Sequence, residues 1–472
     1  MITDIRGLNE ECGIFGIWNH KDAAHIAYYG LHSLQHRGQD GAGIVIRSDT
    51  ELNRHRGMGL VNEIFSKEIL DGLVGNAAVA HVRYAIVGRK DISNVQPFLF
   101  RFQDHQQSLA LCHNGNLTNA TTLRTELEAE GRIFQTSSDS EILAHLIKKQ
   151  GKPTQDLQEK MMIALNQVKG GFAYLLMTAN GMMAARDPNG FRPLSIARLG
   201  DSYVFSSETC AFDIIGATFL RDVEPGELVM VNNDGLTSVM YAQEVNPAIC
   251  SMEFIYFARP DSSIAGVNVH TARKESGRIL AKEAPVDADV VVAVPDSSLS
   301  ATVGYAEASG IPFEMGLVKN RYVGRTFIQP SQELRELGVK MKLSAVSSIV
   351  AGKSVILVDD SIVRGTTSKR IVQLLKDAGA REVHFRVASP PIKYPCFYGI
   401  DMQTTDQLIA HDKSVEEIRQ IIGADSLAFL SEQGLMDAIN LPYDNPHRGL
   451  CMAYFNGNYP TDLYDYEGYH EL

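Results

Sequence analysis

The chain has 472 residues, of which 44% are hydrophobic and 21% charged, a composition typical of a soluble globular protein with two or three domains. Its 44 Lys and Arg against 56 Asp and Glu leave a formal net charge of −12, which argues against a nucleic acid or an anionic membrane as the main partner. No apolar run approaches the roughly 20 residues of a spanning helix. The first residues lack a secretory pattern, so a cytoplasmic protein is predicted.

Cys12 stands at the head of an apolar segment, residues 14–18, that is predicted to be a strand. The 6 cysteines are widely spaced and include no CxxC pair, so reduced thiols are expected, with room for one nucleophile among them. A cysteine at the head of a strand is usually a small buried residue. The segments that follow Cys12 change that interpretation.

Four polar motifs follow in chain order, and each has a structural interpretation when taken alone. The first could be a helix end with a glycine turn, and Arg83 in the second could be a surface cation. Asn114-Gly115 is a strong hairpin-turn dipeptide, and Asp139 lies in a stretch that resembles a helix N-cap. The motifs are LQHRGQDGAG at 34–43, HVRY at 81–84, HNGN at 113–116 and SSD at 137–139.

Taken together in this order, the motifs resemble the class II glutamine amidotransferase domain of the N-terminal-nucleophile hydrolases. The resemblance runs from Cys12 to about residue 240 and implies a four-layer αββα sandwich. In that family the nucleophile is an amino-terminal cysteine. The resemblance therefore implies that residues 1–11 are a propeptide, cut between Glu11 and Cys12.

The chemistry of a cysteine nucleophile also favours that cut. A free thiol has a pKa of ~8.5 and is mostly protonated at neutral pH. A freed α-amine has a pKa of ~7.7–8, so the amine of Cys12 can take the thiol proton without a separate histidine. His81 and His113 are for that reason interpreted as structural residues and not as part of a Cys–His dyad.

The resemblance also implies roles for the other motif residues. Asn114 and Gly115 would stabilise the oxyanion of the tetrahedral intermediates. Arg83 would pair with the α-carboxylate of glutamine, and Asp139 would accept a hydrogen bond from its α-ammonium group. Two further residues, Arg37 and Gly38, are placed in the loop of the glutamine site.

The second half is predicted to begin after residue 245, at an Asn-Pro pair that follows a strand-rich stretch. Residues 251–260 are rich in aromatic side chains and are predicted to be a strand. Residues 289–294 form an apolar, β-branched run that is predicted to be a buried parallel strand. Ser297 follows directly, at the strand end where open α/β sheets bind ligands.

The most informative stretch is 354–368, SVILVDDSIVRGTTS. It predicts a buried strand, two carboxylates (Asp359 and Asp360), a turn at Gly365 and a helix that ends near Gly379. A helix N-terminus suits a phosphate, and paired carboxylates suit a ribose diol or a magnesium ion. The alternative is that the two carboxylates only cap the helix and face solvent.

VDDSIVRGTT resembles the phosphoribosyl-pyrophosphate (PRPP) loop of type I phosphoribosyltransferases, which have an α/β fold with a mainly parallel sheet. The resemblance implies Mg²⁺ near Ser297 and the two carboxylates. A basic stretch at 319–342 is either a solvated helix face or, by resemblance, a loop that closes over PRPP. The residues implied to bind PRPP are Asp359, Asp360, Ser361, Arg364, Gly365, Thr366, Thr367, Ser368, Lys319 and Arg325.

The two halves in one chain, 12–245 and 246–472, resemble the glutamine PRPP amidotransferase family. The reaction so implied takes ammonia from glutamine and places it on C1 of PRPP, with release of pyrophosphate. The family also implies feedback inhibition by purine nucleotides and a homotetramer. The alternatives are a hexosamine-forming or asparagine-forming amidotransferase, which VDDSIVRGTT does not fit, and a regulatory nucleotide-binding protein, for which Cys12, Asn114 and Asp139 would have no use.

One branch of this family carries an iron–sulfur cluster on four cysteines. Cys250, Cys396 and Cys451 match three of those ligand positions, but Tyr454 stands at the fourth. Such clusters are held by thiolates. We therefore predict that the chain holds no stable cluster and that the three cysteines are vestigial ligands.

Overall fold

The computed structural model describes residues 12–49, 51–84, 91–101, 107–149, 156–320, 343–400 and 404–468. Two predicted features lie outside these residues: the propeptide at 1–11, and the part of the basic stretch at 321–342 that includes Arg325. Among the residues that are described, no helix is both long enough and apolar enough to cross a membrane.

The first half contains two antiparallel sheets. Its strands are β1 (Gly13–Trp18), β2 (Gly41–Ser48), β3 (Glu51–Met58), β4 (Ala77–Arg83), β5 (Phe98–Phe100), β6 (Leu109–Leu117), β7 (Gly170–Thr178), β8 (Met182–Arg186), β9 (Ser195–Leu199), β10 (Ser202–Ser206), β11 (Thr218–Asp222), β12 (Glu227–Asn232) and β13 (Gly235–Met240). Within the described ranges, one sheet has seven strands in the order β11-β9-β10-β1-β4-β2-β3. The other has six, in the order β13-β12-β8-β7-β6-β5.

Helices cover the outer face of each sheet. They are α1 (Ala23–Ser33), α2 (Val61–Ile64), α3 (Lys67–Gly72), α4 (Ala120–Ala129), α5 (Glu141–Lys149), α6 (Leu157–Gln167) and α7 (Cys210–Ile215). Helices α1 and α7 share a core with the seven-stranded sheet, and α4, α5 and α6 share one with the six-stranded sheet. A third core lies between the two sheets. The predicted four-layer αββα sandwich is confirmed.

Strand β7 shows why the layers form. All nine of its residues are buried, and they alternate between two cores. Phe172 and Tyr174 pack toward the helices, whereas Ala173 and Leu175 pack between the sheets. Because side chains alternate along a strand, a sheet covered on both faces requires a continuous apolar run.

The second half is built on a parallel sheet. Its strands are β14 (Ile249–Cys250), β15 (Ser263–Ile264), β16 (Val267–Asn268), β17 (Val290–Ala293), β18 (Leu317–Lys319), β19 (Leu343–Ala345), β20 (Ser354–Asp359), β21 (Glu382–Val387), β22 (Ser426–Phe429) and β23 (Leu450–Cys451). Its helices are α8 (Val269–Glu283), α9 (Leu299–Ser309), α10 (Ser347–Val350), α11 (Thr366–Asp377), α12 (Ile409–Asp412), α13 (Val415–Ile422), α14 (Glu432–Ile439) and α15 (Ala453–Asn456). In the described part, four strands pair in parallel in the order β17-β20-β21-β22.

Both faces of this sheet are covered, which explains the apolar character of β17 and β20. Ile356 and Val358 face a core that includes α8, α9 and α14, whereas Val355 and Leu357 face a core that includes α11 and α13. The predicted strands are therefore confirmed. The observed β20 continues one residue further than predicted, to Asp359.

The strand predicted at 251–260 is wrong. Residues Glu253–Phe257 form a single wide helical turn instead. The guanidinium of Arg273, on α8, donates to the carbonyl oxygens of Phe254 at 2.6 Å and Ala258 at 2.8 Å. These long-range hydrogen bonds stabilise the turn, and local propensity gave no indication of them.

The two halves are in direct contact through buried groups. Nδ2 of Asn116, on β6, donates to the carbonyl oxygen of Phe397 at 2.8 Å. Arg192 donates through Nη2 to the carbonyl oxygen of Tyr398 at 2.8 Å. The carboxylate of Asp465 accepts from the backbone N–H of Thr121, at the start of α4, at 2.6 Å. The end of the second half is thus packed on the first.

Candidate functional site

Cys12 lies immediately before β1, a strand in the middle of the seven-stranded sheet, and its side chain is partly buried. Its thiol donates to the carbonyl oxygen of Tyr84 at 3.5 Å, and its own carbonyl oxygen accepts from Nε of Arg37 at 3.1 Å. Burial raises the pKa of the Cys12 thiol, although the positive charges of Arg83 and Arg37 oppose this. A thiol in this state needs a base before it can act as a nucleophile.

Asn114 and Gly115 lie inside β6 and do not form a hairpin turn. Nδ2 of Asn114 is buried and has no hydrogen-bond partner among the described residues. A buried donor without a partner is costly, so a bound group that accepts its hydrogen is favoured. Gly115 has φ +141°, and a Cβ there would lie 2.0 Å from the carbonyl oxygen of Gly171, so the position requires glycine.

Arg83 is buried and Asp139 is half-buried, and both act electrostatically on the Cys12 thiol. Arg83 ends β4 and is therefore not a surface cation. Oδ2 of Asp139 accepts from the backbone N–H of Leu117 at 2.9 Å, which ties the start of α5 to the end of β6. The structure thus brings Cys12, Arg83 and Asp139 into one region, as the motif set predicted.

Arg37 is fully buried, and its guanidinium is already occupied by two carboxylates. Nη1 contacts Glu208 at 2.6 Å and Glu253 at 2.9 Å, and Nη2 contacts Glu253 at 2.7 Å. Gly38 follows, and its backbone passes close to that of Arg83. A Cβ at Gly38 would lie 2.6 Å from the carbonyl carbon of Arg83. Arg37 therefore lies beside Cys12 and Gly38 beside Arg83, and the guanidinium of Arg37 faces protein groups.

His81 and His113 have structural contacts. Nε2 of His81 lies 3.0 Å from the carbonyl oxygen of His113, and Nδ1 of His113 lies 2.8 Å from Oγ of Ser140. The ring of His113 stacks on Tyr174 at 4.3 Å. Burial lowers the pKa of both imidazoles, that of His81 to about 3. A group with so low a pKa is a poor base for a thiol, which supports the structural interpretation.

The second set of polar residues lies at the carboxyl end of the parallel sheet. Asp359 ends β20, and Asp360 follows it, with both side chains buried. Ser297 follows the neighbouring β17, and its hydroxyl hydrogen-bonds to Asp360, as does that of Ser361 at 2.7 Å. Burial raises the pKa of both carboxyls, and the charge of Asp360 raises that of Asp359 further. Two adjacent buried carboxylates favour a bound cation.

The loop from Ser361 to Gly365 leads directly into α11. Gly365 has φ +73°, which lets the chain turn into the helix, and a Cβ there would lie 2.7 Å from Cδ1 of Ile409. Thr366 is the first helical residue, so the free backbone N–H groups of the first turn and three hydroxyls lie together. Nη2 of Arg364 contacts Oε1 of Gln407. This arrangement suits a phosphate group beside the two carboxylates.

Lys319 ends the short strand β18, and its Nζ contacts Oδ2 of Asp296 at 2.9 Å. Both side chains are exposed, so this ion pair is weak and can exchange for a ligand phosphate. Lys319 therefore lies on the same edge of the sheet as Ser297, which follows Asp296 in the chain. Arg325, predicted to act with Lys319, is outside the described residues.

Comparisons with known proteins match both halves. A glutamine amidotransferase domain matches residues 81–213, and a phosphoribosyl transferase domain matches residues 271–420. Amidophosphoribosyltransferase of Bacillus subtilis (strain 168) is 59% identical over 464 residues, which cover 98% of this chain and 97% of that protein. The chain belongs to the amidophosphoribosyltransferase family. Amidophosphoribosyltransferase of Staphylococcus aureus (strain Mu50 / ATCC 700699) is 56% identical over 463 residues, covering 98% of this chain and 93% of that protein.

A solved member of the family has the same fold. The glutamine PRPP amidotransferase from B. subtilis complexed with ADP and GMP superposes with a TM-score of 0.92 at 58% identity, covering 96% of this chain and 98% of that one. Membership excludes the hexosamine-forming and asparagine-forming alternatives, because their second halves are of other kinds. The two halves recognised by separate motif sets are confirmed as parts of one family.

The three cysteines and Tyr454 meet in one buried cluster, here called the cysteine–tyrosine cluster. Cys250 pairs with Cys451 in the register of β14 and β23. The hydroxyl of Tyr454 lies 3.3 Å from Sγ of Cys396 and 3.4 Å from Sγ of Cys250. Burial raises the pKa of the Cys250 thiol to about 11, which keeps it protonated. The phenol of Tyr454 therefore lies between two thiols. Three thiols and one phenol do not fit an iron–sulfur cluster that is held by four thiolates.

Three residues at the two sites gave no signal in the sequence. Arg273 is buried on α8, and its charge faces Asp360. Glu208 and Glu253 hold Arg37, although they lie more than 170 positions along the chain from it. Charged residues on short helices and in loops normally face solvent, so only the tertiary structure reveals that these are buried.

The buried imidazole of His81 predicts a pH dependence. Its pKa is about 3 in the folded protein and ~6.5 in an unfolded chain. Below pH ~6.5 the unfolded chain binds a proton that the folded protein does not, so the free energy of unfolding falls as the pH drops toward 3. Between pH 7 and pH 5, His81 should lower the free energy of unfolding of the wild type by about 2 kcal/mol. We expect His81→Gln to lack this part of the loss.

Thermal unfolding midpoints measured from pH 7 to pH 5 test this expectation. The control is His32→Gln, at an exposed position on α1. The wild type and the control should lose stability in parallel as the pH falls, and His81→Gln should lose less. Three parallel curves would contradict a buried neutral His81.

Proposed function

We propose that the chain is a glutamine-dependent amidophosphoribosyltransferase, which makes 5-phosphoribosylamine, pyrophosphate and glutamate in the first step of purine synthesis. The observation that carries the proposal is the presence of two separate polar sites in one chain of this family. One surrounds Cys12 in the sandwich, and the other surrounds Asp359 and Asp360 at the edge of the parallel sheet. On this proposal residues 12–245 form the amidotransferase domain, residues 246–472 form the transferase domain, and the enzyme acts in the cytoplasm.

At the first site, removal of residues 1–11 would free the α-amine of Cys12. Because burial raises the pKa of this thiol, the amine is needed to take its proton. The sulfur then attacks the side-chain amide carbon of glutamine, ammonia leaves, and water hydrolyses the thioester to glutamate. Nδ2 of Asn114, with the backbone N–H of Gly115, is proposed to donate to the oxyanion.

The remaining residues of the first site would hold glutamine in place. Arg83 is proposed to bind the α-carboxylate and Asp139 the α-ammonium group. Their charges have the signs that this assignment requires, and both act on the same thiol. Fixing the two charged groups of the substrate would place its amide carbon within reach of Cys12.

At the second site, the carboxylates of Asp359 and Asp360 would accept from the ribose hydroxyls of PRPP. The N–H groups and hydroxyls from Ser361 to Ser368 would hold the 5-phosphate at the start of α11. Lys319 and Arg325 are proposed to contact the pyrophosphate. Ammonia from the first site then attacks C1 as the C1–O bond to pyrophosphate breaks.

The carboxylate pair also suits Mg²⁺. Asp359 and Asp360 would hold it with Ser297 beside them, since both carboxyls are buried next to each other and the charge of Asp360 raises the pKa of Asp359. Mg²⁺ is usually bound by one or two carboxylates and completes its shell with water and substrate oxygens. This fits the described residues, which contain no group of three or more His, Cys, Asp or Glu arranged for a metal. When bound, Mg²⁺ supplies charge neutralisation for the departing pyrophosphate.

Three further properties are proposed by family resemblance. Purine nucleotides are proposed as feedback inhibitors, and the solved B. subtilis relative is a complex with ADP and GMP. A homotetramer is proposed as the assembly. The basic stretch at 319–342 is proposed to close over PRPP and exclude water.

We also propose that the cysteine–tyrosine cluster holds no iron–sulfur cluster. Tyr454 lies between Cys396 and Cys250 and hydrogen-bonds with both, so the space for a fourth thiolate is taken by a phenol. Burial holds the pKa of the Tyr454 hydroxyl well above its usual range, which makes it a poor anionic ligand. The network of weak hydrogen bonds would serve in place of metal as the link between β14, α15 and the segment that carries Cys396.

Cys12→Ala should separate the two reactions. We expect formation of 5-phosphoribosylamine from glutamine to fall by more than about a thousandfold, because no nucleophile remains, while formation from ammonium continues. The measurement is initial rate with PRPP and Mg²⁺ and either nitrogen donor. Cys112→Ala, which removes a buried thiol in the same domain, is the control and should retain both reactions. Glutamine use by Cys12→Ala would contradict the first site.

Asp359→Asn with Asp360→Asn should abolish turnover of PRPP with glutamine and with ammonium alike. The reason is that both the ribose contacts and the charge for Mg²⁺ are lost. Pyrophosphate release measures the effect, and Asp377→Asn, at the exposed end of α11, is the control. Hydrolysis of glutamine by Cys12 should remain detectable in the double variant. Retained PRPP turnover would remove these carboxylates from the mechanism.

Tyr454→Cys should convert the cysteine–tyrosine cluster into a four-thiol site. After anaerobic purification, we expect iron and acid-labile sulfide in this variant but not in the wild type, since four thiolates complete the ligand set. Tyr454→Phe is the control, because it removes the hydroxyl without adding a thiol. Near-stoichiometric iron and sulfide in the wild type would contradict the proposal.

A further inference from the structure

Four charged side chains form a buried cluster where the two halves meet, here called the junction cluster. It contains Arg37, Arg192, Glu208 and Glu253, and each side chain is 1% exposed or less. Arg37 contacts both carboxylates, at 2.6 Å to Glu208 and 2.7 Å to Glu253. Arg192 lies 3.7 Å from Glu253. These four side chains carry two positive and two negative charges, and His36 lies beside them, 2.7 Å from Glu208.

Arg37 connects this cluster to the nucleophile. Its Nε donates to the carbonyl oxygen of Cys12 at 3.1 Å, while Nη1 and Nη2 donate to Glu253 at 2.9 and 2.7 Å. A guanidinium is planar, so two contacts to one carboxylate fix the plane of the group and the direction in which Nε points. The orientation of the hydrogen bond to Cys12 therefore depends on the carboxylate of Glu253.

Glu208 cannot supply this orientation alone. It contacts Arg37 at Nη1, and its second oxygen accepts from the backbone N–H of Arg259 at 2.9 Å and from Oγ of Ser262 at 2.7 Å. Burial would raise the pKa of Glu208, but the charges of His36 and Arg37 outweigh this and hold the pKa below its usual range. Glu208 is thus ionised and contacts Arg37 at Nη1, whereas Glu253 contacts both Nη1 and Nη2 of Arg37.

Glu253 belongs to the transferase half. It begins the wide helical turn at Glu253–Phe257, whose carbonyl oxygens at Phe254 and Ala258 accept from Arg273. The positive charge of Arg273 in turn interacts with the carboxylate of Asp360. The backbone turn that carries Glu253 is thus held by Arg273, which also interacts with Asp360 of the transferase site.

We infer that Glu253 is a positioning residue of the glutaminase reaction, which acts through Arg37 on the backbone of Cys12. Glu253 touches neither glutamine nor the thiol. Its carboxylate keeps Nε of Arg37 directed at the Cys12 carbonyl, and so keeps the sulfur and the freed α-amine in place. The inference rests on the proposed function, because it concerns the step at Cys12.

A purely structural junction would behave differently. Buried ion pairs add little net stability compared with apolar groups of the same size, but removal of one partner destabilises the whole protein. Loss of such a junction would weaken both reactions and lower the melting temperature without changing how Cys12 titrates. A positioning residue instead affects one reaction and the reactivity of one thiol.

The test compares Glu253→Gln with the wild type in both reactions. We expect kcat with glutamine to fall about 10- to 100-fold, as expected for a misplaced nucleophile, with KM for glutamine nearly unchanged. The ammonium-dependent rate should stay within about twofold, since ammonium bypasses Cys12. Glu227→Gln is the matched control, because Glu227 also makes two contacts with an arginine, Arg221, at 2.7 Å each in the sandwich.

A second readout is the pH dependence of Cys12 alkylation by iodoacetamide. The charged side chains that act on this thiol are Arg37, Arg83 and Asp139. Arg37 lowers the pKa of the thiol, and the carboxylate of Glu253 neutralises part of that charge. Glu253→Gln should therefore move the alkylation profile to lower pH, whereas Glu227→Gln should leave it in place.

Glu253→Asp keeps the charge and provides the test if Glu253→Gln does not fold. Its carboxylate is one methylene shorter, so we expect a partial loss of the glutamine reaction and an unchanged alkylation profile. Equal loss of both reactions in these variants, or full glutamine activity in folded Glu253→Gln, would overturn the inference. A wild type that does not use glutamine would instead overturn the proposed function, so the two failures are distinguishable.

Discussion

The carboxylate–guanidinium contact between Glu253 and Arg37 is the constraint on which the arrangement of this protein depends. It joins the two halves. Because both charges are buried away from water, each is stable only while its partner is present. Breaking a buried pair of this kind typically costs about 3–5 kcal/mol. The same contact directs Nε of Arg37 to the backbone of Cys12. Arg37 therefore both joins the two halves and contacts the backbone of Cys12.

The two sites are organised by different rules. In the sandwich, the proposed nucleophile, Cys12, precedes a strand of one sheet, and the proposed oxyanion donor, Asn114, lies within a strand of the other. The site therefore exists only when the two sheets are packed together. In the transferase half, Ser297 and Asp360 meet because β17 and β20 are adjacent and parallel. Parallel neighbours place their carboxyl ends at one edge, so that site follows from topology alone.

The cysteine–tyrosine cluster is a place where the family resemblance and the chemistry of this chain differ. Backbone pairing still aligns Cys250 with Cys451, as a shared ligand set would require. A phenol stands where a fourth thiol would be, and Tyr454 is buried and hydrogen-bonds with Cys250 and Cys396. The structure therefore accommodates the substitution as a hydrogen-bonded core.

The sequence alone determined the features that are local or that repeat along the chain. The apolar run of β20, the turn at Gly365 and the motif residues around Cys12 could all be predicted, because each follows from neighbouring residues or from a motif. The tertiary structure decided what depends on distant partners. It turned 253–257 from an expected strand into a helical turn held by Arg273, and it buried Arg37 between two carboxylates that lie far away in the chain. The physical reason is that a charge is stable in a protein interior only beside its partner, and spacing in the sequence does not reveal which partner that is.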